Sequence, residues 1–267
     1  AELCAEHNAR IAGVGGCCRS ERTDVTLPEL PADVVVHCDP DRRASGRRAI
    51  RLEDSSPGPE FLLNLPERTR AGAIKLSPAF GRDVLLRQGL AAEYVSERGA
   101  CRQLVAWWGD RTTGSRATVL AGPMEEPESH SISDDGLGPV DVRPLGEWIY
   151  EPDPAVIAAG CVDALARRLG LWGIAPDVAW LSSESSMKGP FVRGFRVLGE
   201  APGRVRDVQR LLGDLDAGTV RVKTRGLKLD TDALQRRFSG RGDRELAVFW
   251  YRTANRQRAI VVEPGQA

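Results

Sequence analysis

The residues Val34-Val35-Val36-His37-Cys38-Asp39-Pro40-Asp41-Arg42-Arg43 combine a strand pattern with groups able to do chemistry. A run of apolar, mostly β-branched residues predicts a buried parallel strand. That strand must stop at Asp39-Pro40, because proline lacks an N–H, fixes its own φ and holds the preceding residue extended. In open α/β sheets, ligands bind at the carboxyl ends of the strands. A carboxylate fixed there, followed by Arg42 and Arg43 with Arg47 downstream, suits a polar or anionic substrate. The same residues would also make a strand-ending turn with solvated charges, and Arg43 and Arg47 could equally pair with Glu53 and Asp54.

Two further candidates lie at expected strand ends. Arg22-Thr23-Asp24-Val25 predicts the end of a short strand, and Ala73-Ile74-Lys75-Leu76-Ser77-Pro78 another, ended by Ser-Pro and carrying Lys75. Lys75 is either a group at the cleft or a solvated charge paired with a nearby Asp. In the last third of the chain, Arg193, Arg196, Arg221, Lys223 and Arg225 read as alternating at period two, which gathers each strand's set on one sheet face. Two such strands side by side would form a basic stripe suited to a nucleic-acid backbone, or an ordinary solvent-facing surface.

The elements that must position these residues alternate between helix and strand. Residues 1–12 predict a helix ending before Gly13-Val14-Gly15-Gly16, residues 34–38 a strand and residues 60–70 a helix. This order argues a parallel sheet. Strands at 93–96, 104–108 and 117–121 suggest an antiparallel edge on it. Residues 122–138, rich in Pro, Glu, Ser, Asp and Gly, read as a loop or linker. A helix is expected over 154–169, with Asp153 as N-cap, Pro154 in its first turn and Gly170 past its end. From Phe191 the order is strand, helix, strand, helix, strand, strand, a compact α+β unit. Three parts are therefore expected: 1–122, a connecting segment 123–190, and 191–267.

Composition excludes several classes. The 267 residues carry 37 Lys and Arg against 37 Asp and Glu, yet from Phe191 onward there are 16 against 9, a balance of +7 that points to an anionic partner. No apolar stretch approaches the roughly 18 residues a membrane span needs, and no signal peptide opens the chain. The six cysteines show no C-x-x-C spacing and the three histidines are scattered, so no metal site is expected, and free thiols in a cytoplasmic protein are. The chain opens on Ala1 in mid-helix, which reads as a fragment or processed form.

Several blocks, in order over nearly the whole chain, resemble the bacterial class I S-adenosylmethionine-dependent methyltransferases that carry a C-terminal THUMP-like domain. They are the Asn8 helix, Arg22-Thr23-Asp24-Val25, Asp39-Pro40-Asp41-Arg42-Arg43 with Arg47, and Ile74-Lys75-Leu76-Ser77-Pro78. Further on come Tyr150-Glu151-Pro152-Asp153-Pro154-Ala155-Val156-Ile157, Phe191-Val192-Arg193 and Val222-Lys223-Thr224-Arg225-Gly226. The resemblance implies a Rossmann-like α/β methyltransferase sheet lacking its N-terminal strands, followed by a smaller α+β THUMP-like domain. It implies S-adenosylmethionine as cofactor and RNA, a tRNA or rRNA, as partner. Asp24 would contact the adenine amino group of the cofactor. Asp39 and Pro40 would face the methyl acceptor, with Arg42 where many amino-group methyltransferases place an aromatic residue. Arg43, Arg47, Lys75, Arg193, Arg196, Lys223 and Arg225 would bind substrate. The first strand, its Gly-rich turn and the second-strand carboxylate of that family have no counterpart in the sequence. An RNA-binding remnant without a complete cofactor site, or a methyltransferase acting on a substrate other than RNA, are the alternatives.

Overall fold

The computed structural model describes residues 2–19, 21, 23–26, 29–41, 55–109, 113–123, 126–253 and 256–265. It divides into two compact units, Ala1–Ile74 with Trp108–Asp110, and Lys75–Trp107 with Arg111–Ala267.

The first unit holds helix α1 (Glu2–Ile11), strand β1 (Val35–Cys38), helix α2 (Pro59–Arg68) and most of strand β2 (Ala71–Leu76). β1 and β2 run parallel, in register from Val35 opposite Ala71 to Cys38 opposite Ile74. α2 buries Leu62 and Leu65 completely or nearly so. Just past it, the Thr69 hydroxyl donates to the Leu65 carbonyl and accepts from the Trp108 indole N–H at 3.1 Å. That indole lies against Gly72: a Cβ there would fall 2.3 Å from a Trp108 ring carbon and 2.5 Å from the Val36 carbonyl oxygen. Only glycine lets ring and strand approach so closely.

Two expectations fail in this unit. β1 is not a fully buried strand: Val35 is 63% exposed and His37 is exposed as well. Among the described residues it pairs on one edge only, so its other edge stays open. The strand expected to end at Asp24 is a turn, because the Asp24 carboxylate accepts from both the N–H and the hydroxyl of Thr26, closing the backbone locally instead of leaving it to a ladder.

The second unit opens with helix α3 (Arg82–Arg87), then strands β3 (Ala91–Glu97), β4 (Ala100–Trp108), β5 (Ser115–Ala121) and β6 (Glu128–Ser133). β3 and β4 form a hairpin whose tip, Arg98-Gly99, has both φ angles positive, 52° and 71°, the backbone that matches strand twist in two-residue hairpins. β5 then pairs with the other edge of β3, and it does so in parallel. The expected antiparallel edge is thus antiparallel only at β3–β4 and β5–β6, because the chain crosses from one side of β3 to the other after β4.

Between residues 126 and 190 the chain forms strands as well as helices. β6 extends the β3–β5 sheet, while strands β7 (Trp148–Pro152), β8 (Trp172–Gly173) and β9 (Leu181–Ser183) join β10 (Val192–Pro202) in a seven-stranded sheet of order β11-β12-β13-β10-β7-β9-β8, where β11 is Ala217–Arg225, β12 Arg244–Arg252 and β13 Gln257–Val262. The single helix expected over 154–169 is two, α4 (Pro154–Ala159) and α5 (Val162–Leu169). They are broken at Gly160, which adopts the left-handed conformation with φ 68°.

Helices α6 (Val205–Asp214) and α7 (Thr231–Phe238) cover one face of the large sheet. Alternation along the strands is clean. Val220, Val222, Leu246, Val248, Trp250, Ala259 and Val261 face the helices, whereas Phe195, Ala247, Phe249, Tyr251, Ile260 and Val262 face the other way, onto Ile149 and Trp180.

Candidate functional site

The second face of that sheet is not flat. In sheet order β12, β13 and β10 separate β11 from β7, which would hold the two roughly 19 Å apart in a planar sheet. Yet Lys223 on β11 forms a close ion pair with Glu151 on β7, and the Arg225 guanidinium lies 3.7 Å from the other Glu151 oxygen. The sheet therefore curls until its edge strand meets β7 across the aromatic layer. The ammonium of Lys223 sits 5.7 Å from the Phe195 ring centre and 5.8 Å from that of Phe249, and the Arg225 guanidinium 5.8 Å from Trp180. Cations over ring faces are held by the ring quadrupole and by packing of their apolar stems.

This junction is one wall of a cleft of about 560 Å³. Arg98, Gly99 and the end of β5 (Val119 to Ala121) line it from one side, Glu151-Pro152-Asp153-Pro154 run along the floor, and Arg193, Lys223 and Arg225 line the other side. Asp153 caps α4, its carboxylate accepting from the Ala155 N–H at 2.8 Å, while its own N–H donates to the Phe191 carbonyl. Arg193 lies over the Phe195 ring at 5.3 Å and donates to the Gly265 carbonyl. The Nε of Arg225 is buried without a hydrogen-bond partner. Four cations and the Glu151 carboxylate thus converge on one concavity, a place for an anion with several oxygens.

Of the expected substrate residues, Arg193, Lys223 and Arg225 are brought together. Arg196 is not: three positions from Arg193, it falls on the opposite face of β10 and is exposed. The period-two pattern holds for β11 alone, where Arg221 is engaged by Glu245 at 3.0 Å. Lys75 is half-buried on β2. Asp39 is exposed just past β1, Pro40 behind it is buried, and the Asp41 backbone exchanges two hydrogen bonds with Ser56. Burial and the neighbouring Asp39 charge push the Cys38 thiol up, against a nucleophilic role. Asp24 is exposed in its turn, with its carboxyl held below the usual range by the Thr26 N–H and hydroxyl. Arg42, Arg43 and Arg47 lie outside the described residues. Sequence reasoning missed Arg98 and Glu151 as members of the cleft. An acid flanked by Tyr150 and Pro152 in an apolar strand was the available signal for Glu151.

Known proteins resemble this chain in sequence and in fold. Residues 192–264 match the THUMP domain-like family. Two proteins of Mycobacterium tuberculosis, from strains CDC 1551 / Oshkosh and ATCC 25618 / H37Rv, each named as an uncharacterized S-adenosylmethionine-dependent methyltransferase, are 36% identical over 247 residues, 91% of this chain. This chain is a homologue of those two proteins. It spans 66% of the length of those two relatives. A crystal structure of a candidate methyltransferase from Porphyromonas gingivalis W83 shares the fold, with a TM-score of 0.65 at 17% identity, covering 85% of this chain and 58% of that one. The chain is thus mixed α/β, with a THUMP domain-like segment at 192–264 that contributes Arg193, Lys223 and Arg225 to the cleft.

The described residues of this chain do not by themselves make a cradle for S-adenosylmethionine. Asp24 stands in an exposed turn rather than at a strand end, and Gly15 and Gly16 lie in a short helical turn after α1 rather than between a strand and a helix. Among the described residues no group of three or more His, Cys, Asp or Glu could hold a metal ion, and no helix is long and apolar enough to cross a membrane.

Proposed function

We propose that this chain is part of an S-adenosylmethionine-dependent methyltransferase acting on RNA, and that the cleft of Arg98, Arg193, Lys223 and Arg225 grips the RNA backbone. The single observation that carries this reading is the convergence of those four cations, three of them over aromatic rings, in one cleft. Phosphate contacts by Arg and Lys supply the sequence-independent part of RNA affinity and fix the position of the strand. The names of the Mycobacterium tuberculosis relatives support the methyl-transfer part, and the THUMP-like match supports the RNA part. Asp39 and Pro40 fit the role of positioning the methyl acceptor, since the carboxylate lies at the carboxyl end of a parallel strand and the proline behind it is buried. Cys17, Cys18, Cys38, Cys101 and Cys161 are free thiols, in keeping with a cytoplasmic site of action.

The test is the salt dependence of RNA binding. The unmodified chain should bind a structured tRNA with an affinity that falls linearly in log–log terms as salt rises. The double substitution Lys223→Glu and Arg225→Glu should weaken binding at least about tenfold at low salt and flatten the slope by about 0.7 for each phosphate no longer neutralised. An unchanged slope would remove the cleft from the interface.

A further inference from the structure

We propose that the cleft contains a phosphate subsite in which the Glu151 carboxylate occupies the place of a phosphate group until a phosphodiester displaces it. The inference rests on the RNA reading only for the source of the phosphate.

Glu151 is only 21% exposed at its side chain, and its two oxygens are divided between Lys223 and Arg225. A carboxylate and a phosphodiester each carry one negative charge on two oxygens, so exchanging one for the other leaves the charge of the pocket unaltered. What differs is reach. The guanidinium of Arg225 presents Nε and one terminal nitrogen side by side, a fork that matches two oxygens of a phosphate. Glu151 meets only the terminal nitrogen, at 3.7 Å, and leaves Nε buried without a partner. A buried donor without an acceptor is costly, and a tetrahedral phosphate can satisfy Nε and the terminal nitrogen together. Meanwhile Lys223 and Arg225 are held in place by Phe195, Phe249 and Trp180, so they stay aimed at the cleft when the carboxylate swings away. Arg193 lies along the same wall to receive the next phosphate. Glu151 thereby excludes weak single-site anions and yields to a strand that brings several phosphates at once.

The experiment uses the full chain and two probes, pyrophosphate by calorimetry and a short oligouridylate by fluorescence anisotropy, both at low salt. Glu151→Gln should tighten both about fivefold by removing the competing charge, within the range of a partly exposed ion pair. The gain should vanish when Lys223→Met is already present. Glu151→Asp, which keeps the charge but withdraws it, should tighten binding less, and it serves as the reporter if Glu151→Gln melts early. A gain for pyrophosphate with no oligouridylate binding by any variant keeps the subsite and overturns the RNA reading. Oligouridylate binding that loses affinity in Lys223→Met but gains nothing in a folded Glu151→Gln keeps the RNA reading and overturns the subsite. A gain that survives Lys223→Met overturns it as well.

Discussion

Glu93 shows how one residue can hold a sheet face together. It lies on β3 opposite Val105 of β4 and Arg116 of β5, and its side chain is 11% exposed. One carboxylate oxygen accepts from the Trp107 indole at 2.9 Å and from Arg116 at 2.8 Å. The other accepts from the Thr118 hydroxyl, which in turn meets Ser131 on β6. Burial acts to raise the Glu93 pKa, but the hydrogen bonds from Arg116 and Thr118, the Arg116 charge and the Trp107 bond together hold it below the ordinary 4.5. A carboxyl whose pKa is lowered by folding stabilises the fold at pH values above its unfolded value, and that contribution disappears as pH falls through the folded value. Glu93→Gln should therefore cost about 1–3 kcal/mol at neutral pH. The gap to the unmodified chain should close in denaturant titrations run well below pH 4.5. A gap of equal size at both pH values would mean that shape, not charge, is what Glu93 contributes. Nothing in the sequence marked Glu93. Its partners come from two other strands, with Ser131 of a third bonded to Thr118, and such a cluster exists only once register is set. The end of β1 before Asp39-Pro40, by contrast, was legible because the proline acts on its immediate neighbour.

At the scale of elements, local signals were read well and connections between elements poorly. The six elements expected after Phe191 all form, and most of their boundaries carry glycine, proline or aspartate. Asp153, as expected, caps the helix that follows it. The break at Gly160 was missed because the apolar pattern continues across it; the glycine serves a left-handed backbone and also a long-range contact. A Cβ there would overlap the guanidinium of Arg82 at the start of α3. Gly160 also donates its N–H to the Ile157 carbonyl, closing α4 in the left-handed conformation. Gly160→Ala should cost about 1–2 kcal/mol for the backbone alone, and more because Arg82 must move. Adding Arg82→Ala should recover the second part and leave the first. Equal stability of the single and double variants in chemical denaturation would show that Arg82 moves aside at no cost.

For the whole molecule, the large sheet extends beyond its family-matched segment. Residues 192–264 match the THUMP domain-like family, and their helix-covered face is complete in itself, with Phe238 stacked on Trp250 at 5.9 Å. Their other face is not. Phe195, Phe249, Tyr251, Ile260 and Val262 are covered by Ile149 of β7 and by Trp180, whose ring meets Phe249 at 4.8 Å and Tyr251 at 6.1 Å. Burying side chains of this size is worth about 1.5–3 kcal/mol each, while a whole domain is stable by only about 5–15 kcal/mol. Uncovering that face should exceed the margin. A fragment of residues 192–267 should bind a hydrophobic dye and lose its secondary structure without a sharp transition on heating. Trp180→Ala in the full chain, which opens the same layer at one point, should cost about 3–5 kcal/mol while leaving the melt cooperative. A sharp melt of the short fragment would show that its aromatic face stands without β7 and Trp180. The curl that brings β11 to Glu151 would then be a property of the THUMP-like segment alone.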